Sequence, residues 1–325
     1  MGTQRSDTGD QSARLMRRAT YASVTVAMTL VVAKLVAWVL TDSVALLSTL
    51  IDSLIDVGAS LVTLLAVREA LTPADEEHRF GHGKAEPLAG LGQAAFIAGS
   101  GIFLVIEAAG RLTAPLPVQR GEIGIAVMVF SILATIGLVA YQRRVIAQTK
   151  SVAISADSLH YAGDLLINLS VIVSLGLAMT VDLPILDPLF AIAIALWLMK
   201  NAWTIGANSV NLLMDRELPP EDRVRIIKLA LENPRVFDIH DLRTRSSGPQ
   251  TFIQLNVELD GEMTLSASHA IVTEIENRLR ATFPGAEVLI HQDPAGIQED
   301  HHPDFAYEDT SALLEADAAS QPRRL

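Results

Sequence analysis

Six apolar runs fill the first two-thirds of the chain, at about Ala19 to Leu40, Val44 to Ala70, Leu88 to Leu112, Ile123 to Tyr141, Val152 to Val181 and Ile185 to Leu213. Each approaches or exceeds the roughly 20 residues that a helix needs to cross the hydrocarbon core of a bilayer. Half of the 325 residues are hydrophobic and only 19% are charged, a balance foreign to soluble proteins of this length. The expected fold class is an α-helical membrane protein with six transmembrane helices. From about Arg216 onward the sequence becomes ordinary and amphipathic.

Basic residues set the orientation. They gather before the first run (Arg14, Arg17, Arg18), between the second and third (Arg68, Arg79, Lys84) and between the fourth and fifth (Arg143, Arg144, Lys150). The loops after runs one and five carry none, and the loop after run three carries Arg111 and Arg120. Positive loops stay in the cytoplasm, so both termini are expected there, in a multi-pass protein of the cell membrane. No small-residue cleavage site follows a leading apolar stretch, so no removable signal peptide is expected.

The chain has no cysteine, which excludes a disulfide framework and thiolate metal ligands. Any metal chemistry must use oxygen and nitrogen. The formal charge is -12, much of it in the C-terminal third, where no basic footprint for nucleic acid exists.

Inside the apolar runs lie carboxylates. "TLIDSLIDVGASL" puts Asp52 and Asp56 four apart in the second run, and "ADSLHYAGDLLIN" puts His160 and Asp164 four apart in the fifth. That spacing turns each pair to one helix face. At a rise of about 1.5 Å per residue, Asp56 and Asp164 both lie roughly 20 Å from the cytoplasmic ends of their helices. An aspartate at a helix centre costs about 2.5–3.5 kcal/mol, so three unpaired ones cost on the order of 10 kcal/mol. A divalent cation held by three carboxylates and an imidazole offsets that cost in a four-coordinate shell of the kind zinc accepts. Protons can replace the ion when it leaves. The competing reading makes these residues polar contacts between helices, with the aspartates protonated. Asp157, three residues before His160, reads equally well as an entry ligand or as an interfacial residue near the helix start. Lys34 inside the first run reads as a snorkelling side chain or the partner of a carboxylate.

Between runs two and three, "TPADEEHRFGHGKAEP" holds Asp75, His78 and His82 within eight residues. They can close around a metal, or belong to a solvated turn. The GHG stretch lacks the spacing of a phosphate loop. Lys84 and Asp215, opposite charges at similar cytoplasmic depth, form a candidate salt bridge within or between protomers.

The last third reads as helix (about Pro220 to Glu232), strand (Val236 to Arg245), strand (Thr251 to Asp260), helix (Leu265 to Phe283) and strand (Glu287 to His291), separated by the turn signals "SSGPQ" and Gly261. This is a small cytoplasmic α+β domain of αββαβ order, marginal alone and stabilised by pairing with a copy of itself. His240, His269, His291 and Asp293 lie on its different elements, as surface or core residues or as metal ligands. From Gly296 the acidic, small-residue-rich tail lacks a core pattern and is expected to be disordered. His301 and His302 within it read as weak metal binders.

These segments in combination resemble one family. The DxxxD of run two, the HxxxD of run five, "PADEEHRFGHGKAE", "LLMDRELP", "HDLRTRSSGP" and "IHQDP" look like those of the cation diffusion facilitators, most closely the bacterial ferrous-iron and zinc efflux proton antiporters. The similarity runs from about Arg14 to Pro294. It implies a homodimer in the bacterial inner membrane that exports divalent metal (Zn2+, Fe2+, Cd2+ or Mn2+) in exchange for protons, a metallochaperone-like cytoplasmic domain, and no enzymatic activity. On the resemblance, Asp52, Asp56, His160 and Asp164 match the transport site. Asp75, His78 and His82 match a loop site. His240, His269, His291 and Asp293 match ligands of the paired cytoplasmic site. One departure is Asn256 in "FIQLNVEL", where close relatives carry histidine; its neutral oxygen weakens one of the cytoplasmic metals. The implied domains are a cytoplasmic N-terminal segment (1–18), the transport domain (19–213), the dimerisation and metal-binding domain (214–295) and the tail (296–325).

Two alternatives remain open on sequence. A monovalent cation and proton antiporter would use only the carboxylates and leave His160 unexplained. A membrane-anchored metal-dependent protein, whether a sensor or an intramembrane metalloenzyme, would leave the paired intramembrane ligands without a role or would need an HExxH-type pair, which is absent.

Overall fold

The structure is a computed structural model that describes residues 5–41, 44–113, 122–178, 186–297 and 310–320. Its contacts divide into two units, Asp10–Leu213 and the chain from Met214 onward together with the first residues.

The first unit is a helix bundle: α1 (Arg5–Thr41), α2 (Val44–Ala70), α3 (Ala85–Thr113), α4 (Glu122–Thr149), α5 (Val152–Ala178) and α6 (Leu186–Leu213). The shortest have 27 residues, about 40 Å of helix against a hydrocarbon core of about 30 Å. By length and apolar content α1, α2, α3, α4 and α6 qualify as membrane-crossing helices. Helix α5 is as long as α2 but carries Asp157, His160 and Asp164, and it packs on α2, α3, α4 and α6.

Residue size is sorted in the sense opposite to a water-soluble core. Large apolar side chains such as Phe103 (69% exposed) and Trp203 (80%) point outward, while Ala19, Ala27, Ala156, Ala195, Ser60 and Thr63 are buried. Small residues let helix backbones approach closely where lipid offers no hydrophobic drive for association. Gly163, one residue before Asp164, is such a point, because a Cβ there would stand 2.8 Å from Leu198 Cδ2 on α6.

Buried polar contacts join the helices around α5. Gln142 Nε2 on α4 donates to Asp157 Oδ2 at 2.7 Å and to Ser23 Oγ on α1 at 2.9 Å. Ser60 on α2 bonds the Tyr161 hydroxyl at 2.7 Å and donates to Asp157 Oδ1 at 3.4 Å. Gln93 on α3 donates to Thr63 on α2. Asp157 is therefore a buried packing node among α1, α2, α4 and α5, outside the ligand cluster described below.

The second unit holds α7 (Pro220–Leu231), β1 (Asp238–Ser247), β2 (Gln250–Leu259), α8 (Leu265–Thr282), β3 (Glu287–Pro294) and α9 (Thr310–Ser320). Proline at the first position suits the start of α7. Thr264 caps α8 by accepting from the Ala267 N–H. Strand β2 lies centrally, antiparallel to β1 and parallel to β3, and α8 supplies the crossover that a parallel pair needs. Ile226 and Ile227 of α7 and Ile275 and Leu279 of α8 share one core with Ile239, Ile253, Leu255, Val288 and Ile290 of the sheet. Strand β1 lies two residues later than the sequence pattern suggests and β2 one residue earlier, and the ladder between them shifts register between His240 and Arg243.

Within the tail, the described residues 310–320 depart from the expectation of disorder. Residues Thr310–Ser320 form α9, whose Leu313 and Leu314 pack on the domain core. Thr310 Oγ1 donates to the Ile239 carbonyl at 2.8 Å, and Lys228 Nζ meets Asp317 at 2.6 Å. The apolar pair inside an acidic stretch is enough to dock a short helix once a core exists to receive it. His301 and His302 lie outside the described residues.

Candidate metal centres

The i,i+4 pairs of α2 and α5 meet. His160 Nε2 is 2.9 Å from Asp56 Oδ1 and 3.7 Å from Asp164 Oδ2, and one ligand atom from each of the three residues lies within 4.8 Å of the others. They open on a cavity of about 680 Å³ that Asp52 also lines, with Phe96 and Tyr161 against the His160 ring. Asp52 stands one turn along α2 from the three-residue cluster. Three of the four expected ligands are thus gathered and the fourth faces the same space.

Lys34 lines this cavity too. Its ammonium donates to Ser53 Oγ at 2.6 Å and to the Thr49 carbonyl at 3.2 Å, both on α2. Its direct partners are a hydroxyl and a backbone oxygen, where sequence suggested a carboxylate or the membrane surface.

The loop residues form a second cluster. Asp75, His78 and His82 each bring a ligand atom within 4.8 Å of the others. The His78 and Glu77 N–H groups bond Asp75 Oδ1 at 2.6 and 3.0 Å, and the His78 bond foremost holds this carboxyl below the usual carboxylate range. Asp75 is thereby kept ionised, as a metal ligand must be. The two imidazole rings stand 4.5 Å apart between centroids.

In the cytoplasmic unit, Asp293 bridges two histidines: Oδ2 is 3.3 Å from His240 Nε2, and Oδ1 is 3.0 Å from His291 Nε2. Asp293 is only 4% exposed, and its Oδ2 has no hydrogen-bond partner among the described residues, an orphaned acceptor of the kind a cation satisfies. Asn256 pairs in register with His240 on one side and His291 on the other. His269 is exposed on α8 and is not brought into this group. Two histidines, a carboxylate and an amide oxygen suit a hard or borderline divalent ion, weakly. Lys84 Nζ donates to the Leu213 carbonyl at 3.3 Å, and Asp215 lies 3.5 Å from Arg245 Nη1.

Comparison with known proteins decides the family. Residues 20–214 match the model of the cation efflux transmembrane domain, and residues 218–295 that of the cation efflux protein cytoplasmic domain. The chain belongs to the cation-efflux family, the cation diffusion facilitators. It is 45% identical over 287 residues to the cation-efflux pump FieF of Serratia proteamaculans, covering 88% of this chain and 95% of that one. The FieF of Shewanella oneidensis is 44% identical over 283 residues, covering 87% and 95%. A solved structure titled as the zinc form of the putative zinc transporter CzrB is 33% identical over 26% of this chain and 99% of its own, with a TM-score of 0.25. At that score the likeness adds nothing beyond the family. The protein is a multi-pass membrane transporter and not an enzyme.

Two acids beside these clusters lie outside the residues that the sequence pattern singles out. Glu69 Oε1 lies 3.6 Å from His82 Nε2, and Glu258 Oε1 lies 3.9 Å from His240 Nδ1. Both glutamates were inconspicuous among other acids. The register of β1 with β2 would have found Glu258; no local pattern announces Glu69.

Proposed function

We propose that this cation-efflux protein moves divalent metal out of the cytoplasm by proton antiport, with alternating access around Asp52, Asp56, His160 and Asp164. Metal binding needs a neutral imidazole and ionised carboxylates, so the ion expels protons as it binds, and reprotonation releases it on the other side. The carrying observation is the convergence of Asp56, His160 and Asp164 on one cavity inside an apolar bundle. Its oxygen and nitrogen donors suit Zn2+, with Fe2+, Cd2+ and Mn2+ as further substrates. The names of the Serratia and Shewanella relatives support efflux.

The same reading makes the protein a homodimer in a bacterial inner membrane, with both termini cytoplasmic. Asp75, His78 and His82 hold a metal at the loop. His240, His291 and Asp293 hold a weaker one in the cytoplasmic domain, and His269, exposed on α8, lies outside that group. Lys84 and Asp215 pair between protomers; reversing both charges should restore activity lost in either single reversal, and no recovery refutes the pair. A monovalent cation antiporter is disfavoured by the imidazole at the centre of the cluster, since Na+ prefers hard oxygen ligands.

The test is transport of Zn2+, Fe2+, Cd2+ and Mn2+ into proteoliposomes by the wild type and by Asp56→Ala and His160→Ala. Flux in the wild type that falls to the empty-liposome background in both variants is expected. Wild-type flux in either correctly folded variant would contradict the site.

A further inference from the structure

Glu69 sits in the last turn of α2, six residues before Asp75, and its carboxylate turns toward the loop cluster. Glu69 Oε1 is 3.6 Å from His82 Nε2, and the same nitrogen is 3.4 Å from Asp75 Oδ2. His78 Nδ1 is 3.5 Å from Asp75 Oδ1.

These separations distinguish two kinds of contact. A charge-assisted hydrogen bond brings nitrogen and oxygen to about 2.7–2.9 Å, as between His160 and Asp56 at 2.9 Å. A tetrahedral ion with bonds of about 2.0–2.2 Å instead keeps neighbouring ligand atoms about 3.3–3.6 Å apart. The separations of His82 Nε2 from Glu69 Oε1 and Asp75 Oδ2 belong to the second class, and Glu69 stands at the edge of the compact group that Asp75, His78 and His82 form.

His82 points the same way independently. Its side chain is only 10% exposed, Nε2 faces two carboxylates at 3.4 and 3.6 Å, and Nδ1 has no hydrogen-bond partner among the described residues. An ion at Nε2 would take the ring's lone pair there and hold the ring's proton on Nδ1. Glu69 also stands against the partial negative charge of a helix C-terminus, an unfavourable place for a carboxylate unless a cation lies beside it.

We propose that Glu69 is the fourth ligand of the loop metal site, closing Asp75, His78 and His82 into a four-coordinate shell for a zinc-like divalent ion. The inference rests on the reading that those three residues bind metal. Two carboxylates and two neutral imidazoles cancel the ion's charge, whereas the three residues alone leave one positive charge and a position for water. A closed four-ligand shell is the structural kind of zinc site. It ties the last turn of α2, the helix that carries Asp52 and Asp56, to the segment leading into α3.

The experiment uses the full-length protein in detergent with Asp56→Ala, His160→Ala and Asp293→Ala as background, and Co2+ as the probe, because tetrahedral Co2+ absorbs visible light far more strongly than higher-coordinate Co2+. The background protein should bind one equivalent of Co2+ with intense absorption that Zn2+ displaces. Glu69→Gln should lower its affinity at least about tenfold, since loss of even an outer-shell partner costs about 10- to 100-fold, and should change the band. Glu69 is 57% exposed, so the substitution leaves the fold intact. Unchanged affinity and spectrum in Glu69→Gln, with binding abolished in His82→Ala, would overturn the fourth ligand and leave a three-ligand site standing. Absence of Co2+ binding in the background, or binding that survives His82→Ala, would overturn the loop site itself and the proposal with it.

Discussion

His160 Nε2 on α5 and Asp56 Oδ1 on α2 lie 2.9 Å apart, a distance at which the two share a proton. A proton on the nitrogen proposed to take the metal would be held between His160 and Asp56. Competition for a single atom is the simplest physical basis for exchange, since either cation must leave before the other can bind. Asp164 Oδ2, 3.7 Å from the same nitrogen, is placed to complete the ligand set once the proton departs.

Asp157 should matter to stability and not to metal binding. Replacing it with alanine leaves Gln142 Nε2 without its carboxylate partner inside the bundle, a loss of about 1–3 kcal/mol. Thermal unfolding of Asp157→Ala in detergent should shift down while Zn2+ stoichiometry at the transport site is kept. Lost metal binding at unchanged stability would make Asp157 a ligand after all.

Asn256→His should strengthen the cytoplasmic site. Residue 256 lies across from both His240 and His291, on strands about 4.8 Å from its own, so an imidazole there adds a nitrogen donor between two others. Calorimetry should record at least about a tenfold gain in Zn2+ affinity, of the order seen when a metal site gains or loses a supporting group. No gain would show that this face of the sheet does not hold the ion.

Removing residues 310–325 should loosen the edge of the cytoplasmic domain. The deletion uncovers the core beneath Leu313 and Leu314 and frees the Ile239 carbonyl from Thr310. Two partly buried leucines are worth about 2–3 kcal/mol. Hydrogen exchange in the full-length context should become faster at β1 and α7 amides. Unchanged protection there would mean that α9 contributes nothing to the domain.

The parts of this molecule legible in sequence are those written in local periodicity. The apolar runs mark the helices, and spacing by four turns Asp52 with Asp56, and His160 with Asp164, to common faces. Asp157 misleads for the same reason, because a three-residue offset from His160 also suggests a shared face. Its partners Gln142, Ser60 and Ser23 come from three other helices and leave no trace in the local pattern. Glu69 is hidden likewise, as another acid near a basic loop, and the hydrogen-bond acceptors of Lys34 lie on the next helix. Helix α9 was missed because a pair of leucines carries no period until a core receives it.

The central claim is that metal and protons exchange at one intramembrane site. The most direct test reconstitutes the protein in liposomes holding a pH-sensitive dye and a metal-sensitive dye, and follows both signals as Zn2+ is added with and without an imposed proton gradient. The expected result is Zn2+ movement accelerated by an opposing proton gradient and accompanied by proton flow the other way, both abolished by His160→Ala. Zn2+ flux indifferent to the gradient, with no metal-linked proton movement, would contradict antiport.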